Sequence, residues 1–229
     1  MANQNGSVYG LTILSPIVQD TKAQVCHSVA LRRYLASLPR NEFGPFAKIA
    51  GTHMCRLVVM DDVFYPGYPA QVDHLKSSYL LFEANLDGGL DSYLARMARD
   101  APKEVDEIWR HCVGYPGLND VAAFVNYMKK CQITTTFYFA DVNDKTVEQT
   151  LKALQVQTGL ARFIESNQGK SPAELKQAFA EFWQSLQSAP PPLPGHRETS
   201  TLPCFAEEPS SVMAAAADPA NKGANKGER

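Results

Sequence analysis

The chain has 229 residues, 45% of them hydrophobic and 20% charged, with a net charge of −2. That is enough apolar material for a substantial core, and no Lys/Arg run has the density of a phosphate-tracking surface, which argues against nucleic acid as a partner. No stretch approaches 18 consecutive apolar residues, so no membrane span is expected, and the N-terminus lacks the basic region and apolar run of a secretory signal.

Val8–Ile17 reads as a strand, stopped by Ser15-Pro16. Thr21–Leu38 reads as a helix, with Thr21 and Gln24 as a capping box and Leu31, Leu35 and Leu38 as the inward stripe. Cys55–Met60 and Tyr79–Phe82 are short apolar runs that predict buried strands, joined by the turn-rich loop DDVFYPGYPAQVDH. Two or three helical segments follow: Leu90–Arg99, one opened by Pro102 with Val105, Ile108, Trp109 and Cys112 inward, and a third that Asn119 can cap, with Val121, Phe124, Val125 and Met128 on its face. Gln132–Ala140, QITTTFYFA, is β-branched and aromatic and predicts a fourth strand. Lys145–Ile164 reads as a long helix. Ser171-Pro-Ala-Glu174 opens a last one, with Leu175, Phe179, Phe182 and Leu186 as its stripe.

The order is β-α-β-β-α(αα)-β-α-α. Its first six steps match a ferredoxin-like βαββαβ sheet of the α+β class, with inserted helices before the fourth strand and helices after it. Residues 1–187 form this domain, and 188–229, rich in Pro and small polar residues, read as a mostly disordered tail whose PPPLP run is a spacer or a polyproline II ligand. The second strand is apolar on both faces, with Cys55, Leu57 and Val59 on one and Met54, Val58 and Met60 on the other. Two-sided burial predicts that the sheet packs on another sheet, most simply that of a second copy, as in a dimeric α+β barrel.

The polar positions set into these runs are the candidate ligand site. Arg56 lies among apolar neighbours and cannot lose its charge, so it needs a carboxylate or a ring of acceptors. Glu83 is the candidate partner; the pair is either structural or a holder of an anionic or oxygenated ligand. His53 is a metal or haem ligand, a general base, or a strand-end histidine bonded to a backbone carbonyl. In ANLDGGLD, Asn85 and Asp87 can bond neighbouring amides and Gly88-Gly89 permit positive φ, which makes either a ligand-anchoring loop or a capped strand-to-helix turn. Tyr138, with Thr134 and Thr136, supplies a polar anchor opposite aromatics, as in an apolar pocket or an ordinary buried strand. The five cysteines (Cys26, Cys55, Cys112, Cys131 and Cys204) are odd in number and without CxxC spacing, so reduced thiols in a cytoplasmic protein are expected, with no metal site and no cofactor motif. No nucleophile elbow, P-loop, GxGxxG or Cys/His dyad occurs.

The segments LTILSPI, GPFAKIAGTHMCRLVVMDD, YLLFEANLDGGLDSYL, IW-x3-VGYPG and TTTFYFAD together resemble a broad bacterial family related in fold to dimeric α+β barrel proteins, over about residues 8–165. That superfamily includes haem peroxidases and small monooxygenases, and some members of the family accompany lipid-oxidising enzymes such as lipoxygenases. The resemblance implies a homodimer, and either a non-catalytic, chaperone-like accessory protein of such an enzyme or a small peroxidase- or monooxygenase-like enzyme using Arg56, His53, Asn85 and Tyr138. The haem signature of dye-decolourising peroxidases is incomplete here. Asn85-Leu-Asp-Gly88 lacks its first glycine, and no late histidine follows the last predicted strand inside the domain.

Overall fold

The computed structural model describes residues 3–20, 22–62, 67–68 and 75–195. Thr21 of the expected capping box, most of the 63–74 loop with His74, and all of the expected tail from His196 onward, with Cys204, lie outside them.

Among the described residues the chain is α+β, with an antiparallel sheet of four strands and seven helices. The strands are β1 (Gln4–Asn5), β2 (Val8–Pro16), β3 (Thr52–Met60) and β4 (Tyr79–Asp87), in the order β1-β2-β4-β3. The helices are α1 (His27–Ser37), α2 (Pro45–Lys48), α3 (Leu90–Asp100), α4 (Pro102–Trp109), α5 (Val121–Lys130), α6 (Val147–Ser166) and α7 (Pro172–Ser188). β4 shows why the sheet holds its register: Leu80, Phe82, Ala84 and Leu86 alternate onto one face and are all buried. A one-residue slip would carry that whole set to the other face. Leu31 of α1, Tyr93, Leu94 and Met97 of α3, Val105, Ile108 and Trp109 of α4, and Phe124 and Met128 of α5 join the same core. Phe82 meets Trp109 edge-on at 5.4 Å and stacks on Phe46 at 5.6 Å between ring centroids.

The expected fourth strand at 132–140 does not form. Only its first residues, Gln132 and Ile133, meet β2, and two other short pieces take the rest of that side. Asn3 and β1 bond to Gly10, Tyr9 and Val8; Leu14 N donates to Cys131 O and Ile133 N to Thr12 O, both at 2.9 Å; Val113 N donates to Pro16 O and Val18 N to His111 O. With that side of β2 already satisfied, Thr135 N turns to the Asn3 side chain at 3.2 Å, and Phe137 and Phe139 are 83% and 67% exposed. Strand propensity describes residues that fit a half-buried pleat, and here no pleat is free to receive them.

Smaller differences are also local. α1 starts at His27, and ahead of it Asp20 accepts from Lys22 N at 2.8 Å. Asp120, not Asn119, caps α5, accepting from the amides of Ala122 and Ala123. The Ser171/Glu174 capping box of α7 is present, and Thr146 with Gln149 makes a second one on α6. The chain also stays in contact with the domain past residue 187. Lys152 Nζ donates to the carbonyls of Leu186 and Ala189 at 2.6 Å, and Gln155 to that of Pro190 at 3.0 Å. The chain is thus bonded to α6 as far as Pro190.

Candidate functional site

Of the six candidate residues, four line one open cleft of about 340 Å³ on the outer face of the sheet: Arg56, Glu83, Asn85 and Tyr138. Arg56 and Glu83 face each other across the β3–β4 register, and their side chains form an ion pair. Their surroundings differ from the sequence expectation. Met54, Arg56 and Val58 are exposed on the outer face, with Arg56 at 66% and Glu83 at 30%, so over β3 this face of the sheet is open in a single chain. An ion pair open to water contributes about 0–1 kcal/mol, not the several kcal/mol of a buried one. Arg56 Nε is the group that donates to Glu83.

Tyr138 reaches the cleft because residue 10 is glycine. The irregular 132–140 segment folds over the outer face, and the Tyr138 ring lies where a Cβ on Gly10 would come within 2.6 Å of it. The Tyr138 hydroxyl then donates to Asn85 Oδ1 at 3.2 Å. Gly10, Thr12 and Thr135 complete the wall. Gly10 is the residue that sequence reasoning missed. The available signal is a glycine inside a strand pattern, which marks a close approach of another group.

His53 and Asp87 form a separate pair. His53 Nε2 lies 2.7 Å from Asp87 Oδ1, and since a carboxylate only accepts, Nε2 carries the proton. A bulge between Thr52 and Met54 frees His53 from the regular ladder. Asp87 Oδ2 accepts from Val147 N at 2.9 Å, placing a carboxylate at the N-terminus of α6, where the helix dipole favours it. The ANLDGGLD stretch is therefore not a turn as a whole. β4 runs through Asp87, Asn85 and Asp87 bond partners far away in sequence, and only Gly88 takes a positive φ, +79°; Gly89 sits at −83°. His53 lines a groove at the β3 edge, and Asp87 lines a different cavity of about 1010 Å³ beside the starts of α3 and α6.

The remaining titratable groups are structural in their geometry. Cys26, Cys55, Cys112 and Cys131 are free thiols, and burial pushes Cys55 and Cys112 up to about 12, so neither is a thiolate at neutral pH. Among the described residues no group of three or more His, Cys, Asp or Glu side chains is arranged to hold a metal ion. No described helix is long and apolar enough to cross a membrane. His27 and His111 meet through their Nδ1 atoms at 2.9 Å, one donating and the other accepting.

Comparison with known proteins finds no match. No family model fits the chain, and neither the curated proteins nor the solved structures contain a significant relative. The family resemblance therefore stands on the sequence motifs alone.

Proposed function

We propose that this chain is a non-catalytic accessory protein that works by binding partners, in the first place a second copy of itself. One observation carries the reading. α6 and α7 form a hairpin of 20 and 17 residues in which Leu186 is the only buried side chain among those described. Leu154, Leu160 and Ile164 of α6 and Leu175, Phe179 and Trp183 of α7 are exposed. Helices of this length draw their stability mainly from packing an apolar face, and covering a large apolar side chain contributes about 1.5–3 kcal/mol. Large apolar side chains exposed along two paired helices mark an interaction site.

The sheet supports the same reading. β2, β4 and β3 lie in the 1-3-2 order of a ferredoxin-like sheet, and the outer face, where Met54 and Val58 are open, is the face that a dimeric α+β barrel covers with its second copy. The polar candidates favour binding over catalysis, because each is engaged by another: Arg56 with Glu83, His53 with Asp87, Tyr138 with Asn85. The resemblance makes a lipid-oxidising enzyme the first further partner to seek.

Native mass spectrometry of the full chain, purified gently from its host, tests this. The expected result is a dimer mass, or a complex of fixed stoichiometry with an enzyme. A monomer carrying a small molecule that it converts to product would replace this reading with the enzymatic one.

A further inference from the structure

A different surface, independent of the hairpin, lies along the edge of the sheet. β3 ends the order β1-β2-β4-β3, so one side of its backbone has no neighbouring strand. At Val59 the outward carbonyl is taken by Arg32 Nη2 at 2.7 Å, but between His53 and Val58 no hydrogen bond reaches that side among the described residues. Proteins ordinarily blunt such an edge or cover it. Here the edge borders a groove of about 600 Å³, walled on the far side by the segment from Leu35 to Ala47 and at one end by Pro194 and Gly195.

The lining has a definite chemistry. Leu35, Leu38, Phe46 and Leu57 make it apolar, and its charged side chains are Arg40 and Arg56, with no Asp or Glu on the wall. Arg56 is engaged by Glu83, whereas Arg40 is exposed and makes no ion pair among the described residues. Six residues, Thr52–Leu57, line the groove and at about 3.3 Å per residue run for about 17 Å from first to last, the reach of a short strand. Strand addition of this type draws affinity from main-chain hydrogen bonds and specificity from alternate side chains in pockets.

We propose that the free edge of β3 and its groove dock an extended, acidic peptide segment of a partner protein, which adds to the sheet as a strand, sets apolar side chains against Leu38 and Phe46, and places a carboxylate on Arg40. The test is selection of a random octapeptide display library on the full chain, followed by fluorescence anisotropy of the enriched peptides on wild type and on Arg40→Glu. The expected consensus carries Asp or Glu among alternating apolar residues. Its binding falls about tenfold or more in Arg40→Glu and returns when the peptide acid is exchanged for lysine, which also shows that the variant is folded. Amide exchange along 53–58 slows on binding. No enrichment, binding unmoved by Arg40→Glu, or protection confined to other elements would each overturn the proposal. So would a wild-type dimer that Arg40→Glu dissociates, since a second copy would then occupy the groove. None of these outcomes bears on the hairpin, whose variants are different.

Discussion

The two halves of this fold spend their apolar residues differently. In the sheet and α3–α5, apolar positions converge: Phe82, Tyr93, Leu94, Trp109 and Phe124 are wholly buried, and the rings pack on one another. In the α6–α7 hairpin a comparable supply of Leu, Ile, Phe and Trp builds only a local stack. Phe163 lies 4.9 Å from Phe182 and 5.6 Å from Phe179, and Trp183 stacks on Phe179 at 6.2 Å, while their outer faces stay in water. The first region is a finished core; the second is half of one. Good capping boxes at Thr146 and Ser171 show that both hairpin helices are specified locally, and under the proposed function a partner covers their exposed faces.

The largest expected effect that separates the two regions is in the finished core. Phe82→Ala should cost about 3–5 kcal/mol in chemical denaturation, since it removes a ring held between Phe46 and Trp109 and leaves a cavity. Gly10→Ala should cost less, about 1–3 kcal/mol, by driving a methyl group into the Tyr138 ring. If the clash is the cause, adding Tyr138→Ala will recover most of the loss, and a double-mutant cycle reads that coupling directly. In the hairpin, Phe179→Ala in the isolated chain should cost about 1 kcal/mol or less, because its ring is already half in water. A loss near that of Phe82→Ala would erase the contrast.

The smallest effect is the pH dependence of the contact between α1 and the segment after α4. Burial first, then the neighbouring His27 and Arg110, hold His111 below its ordinary value of 6.5. The unfolded chain therefore takes up this proton more readily than the folded one. Stability from this group is present above pH 6.5 and falls as the pH drops through it. His111→Gln should flatten that decline in denaturation midpoints compared at about pH 7.5 and about pH 5. An unchanged decline would assign it to other groups.

Much of this was legible in the sequence where the signal was local. The β4 alternation, the Pro102 start of α4 and the Ser171–Glu174 box each follow from a few adjacent residues. The pairing of Arg56 with Glu83 also followed, from a charge set among apolar neighbours on adjacent strands. What was not legible depended on competition between distant segments. QITTTFYFA has every mark of a strand, yet Asn3, Gln4 and Asn5 occupy the stretch of β2 that it would need, and nothing within residues 132–140 reports that. Asn85 and Asp87 resemble turn formers by type, but their partners Tyr138 and Val147 lie more than fifty residues onward. Exposure of the outer sheet face was hidden for a similar reason. A two-sided apolar strand states that both faces are to be covered, not which chain covers them.

The most direct measurement is sedimentation velocity of the full chain beside a Phe179→Glu/Trp183→Glu double variant. Both substitutions sit on the exposed face of α7 and leave the sheet core untouched. If the hairpin binds a second copy, the wild type will sediment at twice the 25.2 kDa chain mass and the variant at one chain mass, with the same circular dichroism. The same mass for both proteins, whether one chain or two, would contradict the central claim.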